Sequence, residues 1–174
     1  MNCAWTLSEA RTREEELKDF HLKWLEEPIW PPEDYDGLAQ LRRTCGVPIA
    51  AGKNASTLME FDRIVGAGAV NLVQPSVAKM GGVTELCKVF PILAVHCVTL
   101  MPHVFYDGPG LLAAIQVTAA LGTADATIEC RRFDLEAELY GGVLSTQKGR
   151  VLVPQTPGLG IDPCPNVIRS YLNV

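Results

Sequence analysis

Two periods of apolar and polar residues alternate along this chain. Five short apolar runs each end at a polar residue. They are Trp24-Leu25 at Glu26, Val47–Ala51 at Gly52-Lys53, Val70–Val73 at Gln74-Pro75-Ser76, Val98–Met101 at Pro102-His103, and Ala126–Ile128 at Glu129. Between these runs, apolar residues recur three and four positions apart, as on one face of a helix. The spacing predicts helices over 8–23, 34–45, 57–67, 83–94 and 111–121. Ser8 is the expected cap of the first, with Leu17, Phe20 and Trp24 turned inward. Leu38 and Leu41 mark the second, and Gly46 stops it. Leu58, Phe61, Ile64 and Val65 form the inner stripe of the third. Gly81-Gly82 precedes the fourth, and the fifth is apolar almost throughout.

Short apolar strands separated by helices predict a parallel sheet covered on both faces. In a (β/α) barrel of this order, the C-terminal strand ends ring one mouth, where the active site is built. Glu26, Lys53, Ser76, His103 and Glu129 are spaced by roughly one βα unit, so the five endings also map a site. Five strands make an open arc, whereas a closed barrel of this type has eight. The expected fold is therefore α/β: a partial TIM-type barrel of about five βα strands, with two open sheet edges that invite pairing with another chain. After Arg131, glycine and proline break the pattern. An irregular tail is expected there, with short strands at Val143-Leu144 and 150–153. The expected division is 1–130 for the partial barrel and 131–174 for a tail of the same domain.

Composition narrows the partners. The 174 residues carry a net charge of −5, which argues against a nucleic-acid or anionic-membrane surface. The six cysteines form no C-x-x-C pair, a pattern of reduced thiols in a cytoplasmic protein. No apolar run approaches the ~18 residues of a membrane span.

Several segments together resemble the mandelate racemase/muconate lactonizing enzyme group of the enolase superfamily. They are Trp24-Leu25-Glu26-Glu27-Pro28, Ala50-Ala51-Gly52-Lys53-Asn54, Gln74-Pro75-Ser76 followed by Gly81-Gly82-Val83-Thr84, and His103. Asn2-Cys3-Ala4-Trp5 resembles the segment after that group's third barrel strand, and Pro154 with Pro157-Gly158-Leu159-Gly160 its closing tail. The resemblance implies family strands four to eight, with the N-terminal capping domain absent. It implies Mg²⁺-dependent removal of the proton α to a carboxylate, as in racemases, cycloisomerases and acid-sugar dehydratases. Small carboxylic acids are the implied substrates, and a second copy or the remaining barrel portion is the implied protein partner.

The resemblance assigns three carboxylates to Mg²⁺. Glu26 matches the second. The first falls before Met1, and Lys53 stands at the third. Ser76 stands where an Asp usually orients the strand-seven His, which is His103. Glu129 matches a carboxylic acid facing the substrate. Mg²⁺ and a unit charge ~4 Å apart interact by roughly 8 kcal/mol at an effective dielectric of about 20. One Glu and one Lys⁺ nearly cancel, so this chain alone is expected to hold little Mg²⁺, and Lys53 is expected to pair with Glu26. Plainer readings stand beside these. Glu26 can be a paired carboxylate only. Lys53 can be a charge partner or, as some lysines at barrel mouths are, a Schiff-base or general-base residue. His103 can be structural or an inherited base. Ser76 can be a neutral filler, and Glu129 a structural acceptor.

Overall fold

The computed structural model describes residues 1–123, 126–130, 135–144 and 146–172. They form two compact units, Met1–His103 and Val104–Val174. The first unit is built on four parallel strands: β1 (Leu25–Glu26), β2 (Ile49–Ala51), β3 (Leu72–Val73) and β4 (Thr99–Leu100), in the order β1-β2-β3-β4. Register pairs Glu26 with Ala50, Ala51 with Val73, and Val73 with Leu100. Ile49, Ala50 and Ala51 are all buried, so β2 covers both of its faces, as expected of a parallel sheet between helices. The ladder continues past the strands: Glu27 N–H donates to Ala50, Gln74 N–H to Ala51, Met101 N–H to Val73 and His103 N–H to Pro75. These bonds align the polar strand ends side by side.

The connecting helices are α1 (Leu7–Leu17), α2 (Tyr35–Thr44), α3 (Leu58–Gly66), α4 (Val83–Cys87) and α5 (Val89–His96). Their starts follow local chemistry. The Asp34 carboxylate caps α2 through Gly37 N–H at 2.8 Å. Thr57 and Glu60 form a reciprocal capping box on α3, whose Phe61, Ile64 and Val65 are buried.

Four expectations are corrected. The first helix is capped by Thr6 with Glu9, not Ser8, and ends at Leu17; Phe20 is 70% exposed. This helix buries only Ala10 and Glu14, and the Glu14 carboxylate accepts from Gly46 N–H at 2.8 Å. The predicted helix 83–94 is two helices. Pro91 has no N–H for the Cys87 carbonyl, and the break falls at Lys88, between the two. Ala126–Cys130 forms no strand. In the second unit, the Val104 N–H that a neighbouring strand would satisfy bonds the Glu129 carboxylate instead, at 3.1 Å. In the tail, residues 141–144 are a 3₁₀ turn and 147–150 a single bridge in place of two strands.

The second unit contains α6 (Pro109–Leu121) and α7 (Pro165–Tyr171). Leu111, Leu112, Ala114, Ile115 and Val117 of α6 are buried. Gln116 reaches the tail, donating to the Pro154 carbonyl at 2.8 Å. The sequence pattern missed α7 because Pro165 reads as a breaker. It occupies the first helical turn, where a missing N–H costs nothing. No two of the six cysteines form a disulfide. Among the described residues, no helix is long and apolar enough to cross a membrane.

Candidate active site at the strand ends

Glu26 ends β1, and its two carboxylate oxygens have separate partners. Lys53 Nζ, one residue past the Gly52 that follows β2, lies 3.1 Å from Oε1. Gln74 Nε2, directly after β3, donates to Oε2 at 2.7 Å. Lys53 also donates to Asn2 Oδ1 at 2.5 Å, which brings the 2–5 segment into the site. That segment runs beside β1, with Cys3 N–H bonded to the Glu27 carbonyl and Trp5 bridged to Ile29. The Glu26–Lys53 pairing expected from the sequence is thus present. The Lys53 side chain is 11% exposed and that of Glu26 28%.

Glu27 forms a second layer. It is 3% exposed, with φ of 45°. Its Oε1 accepts from Gly52 N–H at 3.0 Å, and its Oε2 from Asn54 Nδ2 at 2.7 Å and from the Cys3 thiol at 2.9 Å. The loop bearing Lys53 is therefore fixed from beneath. Gly52 has φ of 115°, and a Cβ there would lie 3.2 Å from Val73 and 3.3 Å from Phe61, so only glycine suits the turn. Lys79 Nζ donates to the Lys53 carbonyl at 2.9 Å from the other side.

Ser76 follows β3 and is fully buried; its carbonyl accepts from Lys79 and Met80 N–H. His103 follows β4, half-buried, and its backbone is bonded to Pro75. Of the five residues singled out from the sequence, Glu26 and Lys53 are in direct contact, and Ser76 and His103 end the next two strands of the same unit. Glu129 belongs to the second unit, where it holds Val104 N–H.

Sequence reasoning gave no separate role to Gln74, Glu27 or Asn2. Gln74 carried a signal: it is a polar residue in an apolar strand sequence, and it is 0% exposed. Its Oε1 is buried without a hydrogen-bond partner, while its Nε2 faces Glu26. Exchanging the two ends of the amide would set oxygen against carboxylate, so Glu26 fixes its orientation.

Burial works to raise the Glu26 pKa, but the bonds from Gln74 and Lys53 prevail and hold it below the ordinary carboxylate value. Burial, with the Glu27 bond second, pushes the Cys3 thiol up to about 12, so Cys3 is an inert donor at neutral pH. Removing the ammonium in Lys53→Ala should raise the Glu26 pKa, followed by carbon NMR titration; an unchanged or lower value would refute the pairing. The sign for stability follows. A depressed folded pKa contributes stability above the unfolded value of ~4.3, lost as pH falls through the folded one. The variant should therefore lose less stability than the wild type on acidification.

A divalent ion fits this donor set poorly. A Mg²⁺ site needs several oxygen ligands and tolerates no cation among them. Here both Glu26 oxygens are engaged, and an ammonium lies at one of them. Among the described residues, no three His, Cys, Asp or Glu side chains converge as ligands.

A four-stranded parallel sheet with helices between its strands and polar residues at the strand ends defines an α/β fold of the kind that carries its site on one strand-end face. A family model described as Enolase C-terminal domain-like matches residues 1–167, and the chain belongs to that family, among proteins of the mandelate racemase/muconate lactonizing enzyme type. It is 32% identical over 171 residues to arabinonate dehydratase of Saccharolobus solfataricus, covering 98% of this chain and 45% of the relative. It is 29% identical over 170 residues to D-galactarolactone cycloisomerase of Agrobacterium fabrum, covering 92% and 45%. Among solved structures, L-talarate dehydratase from Polaromonas sp. JS666, complexed with Mg and L-glucarate, matches with a TM-score of 0.82 at 25% identity, covering 97% of this chain and 44% of that one. The chain thus spans under half the length of these relatives.

Proposed function

We propose that this chain is the C-terminal barrel portion of a mandelate racemase/muconate lactonizing enzyme-like protein, whose chemistry removes the proton α to the carboxylate of an acid sugar. Residues 1–130 supply the barrel strands and 131–174 a tail of the same domain. The relatives named as acid-sugar dehydratase and cycloisomerase support the substrate class. In this reading His103 is the inherited base position, Glu129 the carboxylic acid at the substrate, Ser76 the former Asp position, and Glu26 a metal-carboxylate position. The observation that carries the reading furthest is Glu26 at the end of β1, held by Gln74 and Lys53 from the ends of β3 and β2. Lys53 at this point supports a chain that is impaired alone. Six cysteines without a disulfide suit a cytoplasmic setting. Assay of the chain against acid sugars, alone and mixed with a full-length relative, tests the proposal.

A second reading is a non-catalytic partial-barrel subunit that acts by self-association or with a homologous partner. Among the described residues, β4 has no strand on its outer side, and unpaired strand groups recruit other chains. We expect a symmetric dimer, the commonest closed assembly. Analytical ultracentrifugation at micromolar concentration should give a dimer; a clean monomer with a cooperative melt would count against it.

A further inference from the structure

We propose that the Lys53 ammonium is a resident, tethered cation at Glu26: it closes this site to divalent metal, and reversal of that single charge opens it. Three observations converge. Glu26 offers no free oxygen, since Oε1 meets Lys53 at 3.1 Å and Oε2 meets Gln74 at 2.7 Å. Lys53 is not a swinging surface lysine. Its side chain is 11% exposed, and its ammonium also donates to Asn2 Oδ1. The backbone of its loop is pinned on both sides. Glu27 holds Gly52 N–H at 3.0 Å, and Lys79 holds the Lys53 carbonyl at 2.9 Å. Finally, the groups that the ammonium bonds are oxygens, the Glu26 carboxylate and the Asn2 amide carbonyl, which are hard donors of the kind that Mg²⁺ and Mn²⁺ take, while the Met1 ammonium nearby bonds the Glu26 backbone carbonyl at 2.6 Å. A monovalent cation on a short tether thus stands where acceptors converge. An ion entering from solution would have to displace it against its effective concentration. This role depends on the placement of the ammonium and holds under either functional reading, so its test does not use turnover.

The test titrates the full chain with Mn²⁺, following the spectrum of the free ion by electron paramagnetic resonance. Melting is also compared in Mg²⁺ and in NaCl of equal ionic strength. The wild type should take up no Mn²⁺ below ~1 mM and should melt alike in both salts. Lys53→Glu should take up Mn²⁺, and its melting temperature should rise by roughly 3–6 °C at ten times the dissociation constant. Lys53→Met, which keeps the stem but not the charge, should take up much less. If Lys53→Glu is unfolded without metal, folding on addition of Mn²⁺ counts as the same gain, and failure to fold with it counts against the proposal. Stoichiometric Mn²⁺ uptake by the wild type would overturn it, as would a Lys53→Glu variant that binds no better than Lys53→Met.

Discussion

Turnover of acid sugars by this chain in Mg²⁺ should fall below that of a relative such as arabinonate dehydratase on its own substrate by on the order of 10⁴-fold or more. Proton removal beside a carboxylate concentrates negative charge, and the reaction needs both a stabilising positive centre and a poised base. A preorganised charge-stabilising contact is worth roughly 10²–10³ in rate. Here the carboxylate at the end of β1, Glu26, is neutralised by Lys53. A general base contributes about 10²–10⁴. Under the proposed function His103 is the base position, and Ser76 beside it in that reading cannot supply the charge of an orienting carboxylate. The two losses act on different groups in one transition state, so they should multiply, at least in part. A panel of acid sugars and 2-hydroxy acids, assayed with Mg²⁺, measures this. Turnover clearly above background, and abolished by His103→Asn, would show that the site has been misread.

Glu27→Leu should cost about 3–5 kcal/mol of folding stability, the largest loss expected from a single change at the site. Glu27 is 3% exposed and carries three bonds, from Gly52 N–H, Asn54 and Cys3. Bonds to a charged acceptor are worth roughly 1.5–3 kcal/mol each, and a buried donor left unpaired costs about 1–3. Asn54 is exposed and can turn to water, but Gly52 N–H is buried and cannot. Glu27→Gln keeps an oxygen for Gly52 and should lose only about 1–2 kcal/mol. Urea unfolding at constant slope would rank the three proteins. The Cys3 thiol gives an independent readout. Without the neighbouring carboxylate its pKa should fall from about 12, and alkylation at pH 8 should quicken. Equal stability of Glu27→Leu and the wild type would contradict the supporting role given to this residue.

The strand ends were legible in the sequence because each buried run stops abruptly at a polar residue, and register then sets those ends side by side. The pairing of Glu26 with Lys53 was legible because opposite charges at adjacent parallel strand ends must meet or remain unpaired in a half-buried setting. Gln74 and Glu27 were present in the quoted motifs, but their roles depend on which oxygen faces which strand, and a linear pattern does not carry that. Ala126–Cys130 was misread because its short apolar run formed neither a ladder nor a buried core segment: Thr127 is exposed and the other four are half-buried. A carboxylate within that run, Glu129, can satisfy the backbone group that a strand would have met. Thr6 displaced Ser8 as a cap because its Glu9 partner completes a reciprocal box. Pro91 split one predicted helix, while Pro165 began another. The same residue has opposite effects at different helix positions, and only the observed helix start decides between them.

The positive centre held at Glu26 is the Lys53 ammonium. Anomalous diffraction from crystals of the wild-type chain soaked in Mn²⁺ tests it most directly. No anomalous peak is expected beside Glu26, with Lys53 Nζ still in contact with Oε1 and Gln74 Nε2 on Oε2. A peak bonded to Glu26, with Lys53 swung away, would contradict it.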